Sequence, residues 1–168
     1  MAVDETLLQQ INQADEIGVR LEIVGGLSIW EASPMLKHQR AVDRIRATIA
    51  PVDGAGTGCG CVHVADVYVQ FPDGSLKRPD ISIFRQEPEE EDKPITLLPE
   101  AVVEIISKGY EAKDLEIGPQ FYTSQGVKDV VVFNPYTLVV LHVRQSGAER
   151  HIAPVDIELL CGCRCQVV

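Results

Sequence analysis

The chain has 168 residues, of which 45% are hydrophobic and 24% are charged, a balance typical of one folded domain and not of a disordered chain or a coiled coil. Its 25 acidic residues outnumber its 15 basic residues and give a formal charge of −10, which counts against general binding to nucleic acid or anionic membranes. The N-terminal segment is acidic and no apolar run approaches the roughly 18 residues of a membrane span, so we expect a cytoplasmic protein with no membrane partner.

The start of the chain predicts two helices that enclose a hairpin. Asp4 fits the N-cap of a first helix, whose apolar residues recur at helical spacing. Residues 20–32 are typical of two strands that turn at Gly25-Gly26. Ser33-Pro34 then opens a second helix, which we expect to run to about residue 50.

The second predicted helix has two contrasting faces. His38 and the apolar residues that follow it at helical spacing lie on one face of this helix. The other face carries three basic residues, Lys37, Arg40 and Arg44. This basic stripe is either a solvated helix face with ion pairs or a local contact surface for DNA.

The middle of the chain predicts a loop, a strand pair and a second loop. Residues 53–60 are rich in glycine but lack the Lys-Ser/Thr of a phosphate-binding loop, so they indicate a flexible connection. Residues 61–71 alternate as a strand, turn at 72–74, and return as an antiparallel strand over 77–84. Residues 85–95 are too polar to pack and predict a mobile acidic surface loop.

The second half of the chain predicts a buried strand, a helix and three further strands. Residues 101–107 form an apolar run of strand length that is interrupted by Glu104. Residues 112–125 indicate a helix that is disturbed by Gly118-Pro119. The remaining strands are expected at 128–134, 136–143 and 149–153. The sequence therefore predicts a single α/β or α+β domain over residues 1–168 with a mixed sheet.

The five cysteines fall into two clusters, Cys59 to Cys61 and Cys161 to Cys165. An odd number in a cytoplasmic context argues against a disulfide framework. The clusters offer four thiolates to a soft metal such as zinc, although paired zinc ligands are usually about two to four residues apart. A metal site, one oxidised pair and thiols without a ligand role all remain open. The Cys-rich tail, 156–168, is either a homodimer interface or a terminal strand packed against the core.

Two acidic residues stand out because each lies beside β-branched residues in a predicted strand. Asp80 begins one strand, and Glu104 lies inside the next. Buried carboxylates are costly, and two on adjacent strands repel each other unless a proton or a cation intervenes. Mg²⁺ held by such a pair can polarise a phosphodiester and generate the attacking hydroxide. The ordinary alternative is an ion pair with a neighbouring arginine.

A series of short motifs around these acids resembles a known family. The motifs are Arg78 to Ile83, Pro99 to Ser107, Asp114-Leu115, Tyr122 and Gly126-Val127. In order and spacing they are similar to the putative restriction endonuclease family, bacterial proteins within the PD-(D/E)XK nuclease superfamily. The resemblance extends from about Glu22 to Tyr136.

The resemblance implies a restriction-endonuclease-like fold, with a central mixed β-sheet flanked by helices. It also implies that Asp80 and Glu104 bind Mg²⁺ or Mn²⁺. Glu22 would lie near the same cleft as an extra metal ligand or base, and His38 would face the sheet there, although a core histidine is the ordinary interpretation. Asp66 aligns with a position that often carries an acid in the family, and an ion pair is its alternative role.

The sequence departs from the resemblance at the lysine. In the superfamily a lysine usually follows the second acid by two residues, where this chain has Ile106, and in the family it has moved to the next helix, where this chain has Gly118. Such a cation orients the attacking water and stabilises developing negative charge. By strand alternation Lys108 shares the face of Glu104 and is the predicted substitute, and Lys113 is another candidate.

These observations favour a metal-dependent DNA endonuclease with a degenerate site. The alternatives are a catalytically inactive nuclease fold that binds nucleic acid or protein, and a small structural protein with a cysteine metal site. Residues 85–95 hold five of the 25 acidic residues, so the net charge still allows weak, salt-sensitive binding of DNA. A lysine or arginine nitrogen beside Asp80 and Glu104 would favour the active enzyme.

Overall fold

A six-stranded mixed sheet is the largest element of the fold in the computed structural model, which describes residues 4–31, 34–52, 58–109, 115 and 117–168. The helices are α1 (Glu5–Glu16), α2 (Leu36–Arg46) and α3 (Gly118–Ser124). The strands are β1 (Arg20–Val24), β2 (Leu27–Glu31), β3 (Ala50–Pro51), β4 (Val62–Ala65), β5 (Val69–Gln70), β6 (Leu76–Lys77), β7 (Ile81–Phe84), β8 (Ala101–Ile105), β9 (Asp129–Phe133), β10 (Val139–Arg144), β11 (Gly147–Ile152), β12 (Val155–Glu158) and β13 (Cys163–Val167).

The six strands lie in the order β11-β10-β9-β8-β7-β4. Only the central pair in this sheet, β8 and β9, is parallel, and every residue of both strands is buried. A parallel pair needs a crossover connection, and α3 lies in the segment that joins the two strands. The prediction of a central mixed sheet with flanking helices is confirmed.

The flanking helices pack on opposite faces of the central sheet. Successive side chains of a strand point to opposite faces, so neighbouring residues of β8 reach different apolar clusters. Val103 packs in one cluster with Ile45 of α2, and Val102 packs in the other with Tyr122 of α3. The site residues on β7 and β8 therefore lie between two helices that the sequence places far apart.

The four-stranded sheet has the order β2-β1-β6-β5 and contains the predicted N-terminal hairpin. Its turn is Gly25-Gly26, where φ angles of 56° and 81° favour glycine. α1 packs its apolar face on β1 through Ile11 and Ala14. The predicted N-cap of α1 is also present, because the Asp4 side chain accepts the backbone N–H of Thr6 at 2.8 Å.

The two strands predicted for residues 61–71 and 77–84 are each divided between two sheets. β4 and β7 pair in the central sheet, whereas β5 and β6 pair in the four-stranded sheet. The first strand breaks at Asp66, which has a φ of 61° and donates its N–H to the carbonyls of Pro79 and Asp80 at 3.2 Å. The second strand breaks at Pro79, because proline has no N–H to donate to a sheet. These paired breaks bring the end of β6 next to the start of β7.

Two predicted helix boundaries differ from the structure. α2 ends at Arg46 instead of near residue 50, because Ala50 belongs to β3 and pairs with Arg164 of β13. The predicted cap Ser33 lies outside the described residues. Gly118-Pro119 begins α3, where a proline in the first turn is favourable, and the described residues just before it, 115 and 117, are π-helical. Residues 112–114 and 116 of the predicted longer helix lie outside the described residues.

The predicted C-terminal tail forms a hairpin that packs against the core. Within 156–168, β12 and β13 form a hairpin whose alternate residues, among them Cys165 and Val167, are buried in the core, while Leu160 is 57% exposed. Packing of the tail against the core accounts for most of its apolar residues, and its role in a homodimer stays a prediction.

The predicted acidic loop contains no regular secondary structure. Residues 85–94 lack helix and strand, and Ile95 forms a single bridge with Val69. In the described part of the chain every helix is too short or too polar to cross a bilayer.

A buried ionic cluster fixes the central sheet to this C-terminal hairpin. Asp129 has no exposed surface and accepts the guanidinium Nε of Arg144 at 2.7 Å and the N–H of Leu160 at 2.8 Å, while Nε2 of His142 lies 2.6 Å from the same carboxylate. Burial opposes the negative charge, but these hydrogen bonds outweigh it and lower the pKa of Asp129. The charged form of Asp129 therefore stabilises the fold.

Replacing Asp129 with asparagine is expected to lower the free energy of unfolding at neutral pH by about 2 kcal/mol, since it leaves buried donors poorly satisfied. A lowered folded-state pKa stabilises above the ordinary carboxyl value of about 3.9 and loses that effect as the pH falls through the folded-state pKa. Urea unfolding at pH 7 and at pH 3 should show a smaller difference between wild type and Asp129→Asn in acid. The exposed Asp156→Asn is the control, and an equal difference at both pH values would contradict the prediction.

Candidate active site

The two acids singled out by the sequence lie across adjacent strands of the central sheet. β7 and β8 pair with Ile81 opposite Val103, so the next positions outward are Asp80 and Glu104. Asp80 is 6% exposed and Glu104 is 4% exposed. The structure thus gathers two largely desolvated carboxylates at one end of β7.

Asp80 is held by the backbone of β8 and by a histidine. Its Oδ2 accepts the N–H of Ile105 at 2.7 Å and lies 3.1 Å from Nε2 of His38. Burial disfavours the charged imidazole, but the hydrogen bond and the charge of Asp80 outweigh burial and raise the pKa of His38. His38 is therefore not only a core residue of α2, because it faces the site and orients Asp80.

Glu104 is held by a tyrosine from α3. The hydroxyl of Tyr122, which is fully buried, donates a short hydrogen bond to Oε1 of Glu104. Burial raises the pKa of Tyr122 well above its usual range, and the charges of Glu104, Glu22 and Asp80 raise it further. Tyr122 is therefore a neutral hydrogen-bond donor, and the negative charges of the three carboxylates all disfavour its ionisation.

A buried lysine that the sequence interpretation missed lies beside this group. Ile23 of β1 pairs with Leu76 of β6, which places Glu22 opposite Lys77. Both side chains are 1% exposed, and Nζ of Lys77 lies 3.9 Å from Oε2 of Glu22. The same Nζ lies 4.7 Å from the centre of the Tyr122 ring, within the range of a cation–π interaction. Lys77 thus links Glu22 to the tyrosine that holds Glu104.

The site residues offer a donor set that suits a hard divalent cation. Mg²⁺ is commonly bound by one or two carboxylates together with water. Both described contacts of Asp80 use Oδ2, so in the described part of the chain Oδ1 remains for a cation. Asp80 is paired with His38 and Glu22 with Lys77, while Glu104 accepts the neutral hydroxyl of Tyr122. Asp80 and Glu104 therefore fit Mg²⁺ or Mn²⁺.

Glu22 occupies a different position from these two acids. Among the described residues, three metal-ligating side chains come within 4.8 Å of one another at two other places, and Glu22, Asp80 and Glu104 are not such a group. Glu22 instead accepts the backbone N–H of Arg78 at 2.7 Å and pairs with Lys77. The geometry favours Glu22 as the partner of the lysine over its predicted role as a third metal ligand.

Comparison with known proteins relates this chain to nucleases. The family Uma2, described as "Putative restriction endonuclease", matches residues 4–160. The chain belongs to this family. The crystal structure of a putative nuclease belonging to DUF820 from Anabaena variabilis ATCC 29413 is 21% identical, with a TM-score of 0.62 over 82% of this chain and 80% of that one. No curated protein matches the chain. Family and fold together support a nuclease in general terms.

The family resemblance fails at the expected lysine positions, as the sequence predicts. Ile106 is 1% exposed and packs in the apolar cluster that contains Tyr122, and Gly118 is the buried first residue of α3. Lys108 does not share a strand face with Glu104 as alternation predicts, because β8 ends at Ile105 and Lys108 lies exposed in a turn. Lys113 lies outside the described residues.

Asp66 has its predicted alternative role, an ion pair with basic neighbours, and is half-buried. It forms a close ion pair with Arg20 and lies 2.9 Å from Nε of Arg78. A second hydrogen bond joins Nη2 of Arg78 to Oδ2 of Asp66 at 3.2 Å. Asp66 therefore stabilises the segment where the strands cross between sheets and holds Arg78, which lies two residues before Asp80.

The basic stripe lies on the solvent side of α2. Lys37, Arg40 and Arg44 are exposed, and Nζ of Lys37 lies 4.8 Å from the ring centre of Tyr136. His38 lies on the other side of the same helix and contacts Asp80. The structure therefore does not bring the stripe into the site, although one helix carries both.

Proposed function

We propose that this chain is a metal-dependent DNA endonuclease with weak activity. The observation that carries the proposal is the pair of adjacent buried carboxylates, Asp80 and Glu104, each held by a separate hydrogen-bond donor. Two such acids are stable together when a cation lies between them. Membership of a restriction endonuclease family supports the choice of phosphodiester hydrolysis.

The residues of the site have distinct roles in this proposal. Asp80 and Glu104 hold Mg²⁺ or Mn²⁺, which polarises the phosphodiester and lowers the pKa of a bound water. His38 and Tyr122 fix the directions of the two carboxylates, as partners of metal ligands commonly do. Lys77 is a positioning residue, because its buried Nζ contacts Glu22 and the Tyr122 ring and not the surface that a substrate would reach.

Weak activity follows from the same geometry. A cation that touches the reacting phosphate contributes about 100-fold or more to such reactions. Ile106 and Gly118 leave the two family lysine positions without a charge, and the buried Lys77 acts only through its neighbours. Binding of DNA along Lys37, Arg40 and Arg44 is proposed to be weak and salt-sensitive, since each phosphate contact releases counterions.

The second candidate is a nuclease fold that binds DNA or protein without cleavage. It is favoured by the apolar residues at the lysine positions and by the partners that already compensate the carboxylates, His38 for Asp80 and Lys77 for Glu22. In this case Asp80 and Glu104 would be structural residues. Binding of DNA that needs no metal and is not followed by cleavage would identify this function.

Cleavage of supercoiled plasmid in Mg²⁺ or Mn²⁺ tests the first proposal. Asp80→Asn keeps the size of the side chain and removes its charge, so we expect the cleavage rate to fall about 100-fold or more. A chelator should have the same effect on the wild type. Asp156→Asn removes an exposed acid and should cleave like the wild type. Equal cleavage by the wild type and Asp80→Asn would indicate a contaminating nuclease and remove the site assignment.

A further inference from the structure

The two cysteine clusters, which are about 100 residues apart in the sequence, meet in one buried place. Cys61 and Cys163 form a disulfide, and the free thiol of Cys59 lies 3.4 Å from Sγ of Cys163. The sulfurs of Cys59, Cys161 and Cys163 all lie within 4.8 Å of one another. Three cysteines thus share one site, Cys61 is joined to it through its bond to Cys163 without being a member of the three-sulfur group, and the fifth, Cys165, is not a member either.

Short-range backbone contacts hold the first pair of cysteines against the core. Gly60 donates its N–H to the carbonyl of Arg85 at 2.7 Å, and a Cβ at this position would lie 3.0 Å from that oxygen. Only glycine approaches the end of β7 this closely, and the approach places Cys59 and Cys61 beside β13. Cys61 also has a φ of 50°, a left-handed conformation that is unfavourable for residues other than glycine.

The second pair comes from a tight turn before β13. The N–H of Gly162 donates to the carbonyl of Leu159 at 3.0 Å, and Gly162 has a φ of 95°. Cys161 is 1% exposed and Cys163 has no exposed surface. The turn therefore directs two neighbouring thiols inward, where water has little access.

The spacing of the sulfurs of Cys59, Cys161 and Cys163 is compatible with a tetrahedral metal site. A zinc–sulfur distance of about 2.3 Å with tetrahedral angles places sulfurs about 3.8 Å apart. The distance from Cys59 to Cys163 is 3.4 Å and the group of three lies within 4.8 Å. A structural disulfide needs no further thiols in contact with it, yet two lie there. Thiolates select soft ions such as zinc over Mg²⁺.

We propose that the reduced chain binds one Zn²⁺ through Cys59, Cys61, Cys161 and Cys163, and that the disulfide form releases it. The guanidinium of Arg85 pairs with Glu100 at 3.0 Å and also lies within electrostatic range of Cys59 and Cys161. Asp80 lies just before the start of β7, and the cysteine site lies beyond the other end of that strand. The two sites are therefore roughly 16 Å apart along the strand. The zinc site is independent of the proposed nuclease centre.

The two forms interconvert by balanced chemistry. A phosphine or dithiol reductant supplies two electrons, and two protons convert the Cys61–Cys163 disulfide to two thiols. Zn²⁺ then replaces the four thiol protons, which are released to solvent. In the reverse direction a disulfide oxidant accepts two electrons from Cys61 and Cys163, and the metal loses two of its four ligands.

The test is zinc uptake by the full chain, measured by competition with a chromophoric chelator after reduction by a phosphine. We expect one Zn²⁺ per chain for the reduced wild type and for Cys165→Ser, the matched control. Cys59→Ser and Cys161→Ser should each bind zinc about 100-fold or more weakly. Loss of a residue that only supports a metal ligand weakens metal binding by about 10- to 100-fold, and loss of a ligand itself should have at least the larger effect. The air-oxidised wild type should bind no zinc at this affinity.

Cobalt provides a readout of the ligands themselves. Co²⁺ bound by reduced wild type should give the intense visible absorption of a tetrahedral thiolate site, and Cys59→Ser should lose it. Circular dichroism confirms that each variant is folded, and Cys59 is the most exposed of the four ligands, so its replacement is the mildest. No uptake by the reduced wild type, or uptake by Cys59→Ser and Cys161→Ser equal to that of the reduced wild type, would overturn the proposal. Neither outcome affects the nuclease assignment, because no cleavage is measured.

Discussion

Replacement of Lys77 with methionine is expected to lower the free energy of unfolding by about 3–5 kcal/mol, the usual effect of removing one member of a buried ion pair. Lys77 and Glu22 are both 1% exposed, and their charged atoms lie 3.9 Å apart. Methionine fills similar space but leaves the Glu22 carboxylate buried with a weaker counter-charge. Urea unfolding of the two proteins measures the difference. The exposed Lys108→Met should change the free energy of unfolding by no more than about 0.5 kcal/mol.

The double variant Glu22→Gln/Lys77→Met separates charge from packing. It removes both charges, and a glutamine oxygen still accepts the backbone N–H of Arg78 that Glu22 accepts at 2.7 Å. Neutral replacement of a complete buried pair is often close to neutral in stability. We therefore expect the double variant to recover most of the stability that Lys77→Met loses. A double variant that is less stable than the single variant would contradict the ion-pair interpretation.

The same variants distinguish the two lysine hypotheses in the cleavage assay. If Lys77 positions the site through Tyr122, the recovered double variant should fold well and still cleave slowly. If Lys108 takes the place of the family lysine, as the sequence predicts, Lys108→Met should reduce cleavage while leaving the free energy of unfolding unchanged. The exposed position of Lys108 in a turn after β8 favours the first outcome.

The elements that were predicted correctly are those whose signals are local. The Gly25-Gly26 hairpin and the N-cap at Asp4 depend on a few neighbouring residues, and β8 depends on a short apolar run. The division of residues 61–71 between two sheets was not predicted, because alternation continues through Asp66 and only its positive φ breaks the strand. That conformation is stabilised by contacts with Pro79, which no local pattern reveals.

In the candidate site too, residues marked by local sequence signals were predicted, and a residue placed by long-range strand pairing was missed. The motif resemblance placed Asp80 and Glu104 together, and helical spacing placed His38 on the inner face of α2. Lys77 was missed because its burial depends on pairing of β6 with β1, more than 50 residues earlier in the chain. Lysine beside arginine in a polar turn ordinarily indicates an exposed strand end. The opposition of Glu22 and Lys77 becomes visible only once the register of the sheet is known.

Replacement of Glu104 with glutamine is expected to reduce metal-dependent cleavage about 1000-fold, since a catalytic metal ion contributes several kcal/mol to stabilising the transition state and 1.36 kcal/mol is tenfold in rate. Glutamine keeps the shape of Glu104, and its oxygen still accepts the hydroxyl of Tyr122, so the fold should be retained. Binding of Mn²⁺, measured by the electron paramagnetic resonance of the free ion, should weaken in parallel. Asp80→Asn/Glu104→Gln should cleave no more slowly than Glu104→Gln, because both acids act through one ion.

Tyr122→Phe is the matched control for this result. It removes the hydroxyl that donates to Glu104 and leaves the charge of the carboxylate in place. Because partners of metal ligands contribute about 10- to 100-fold to metal affinity or activity, its effect should be smaller than that of Glu104→Gln. Excess Mn²⁺ should restore cleavage by Tyr122→Phe but not by Glu104→Gln, since only the latter lacks a charged ligand. If Glu104→Gln binds Mn²⁺ and cleaves as the wild type does, Glu104 is a structural residue and the metal lies elsewhere.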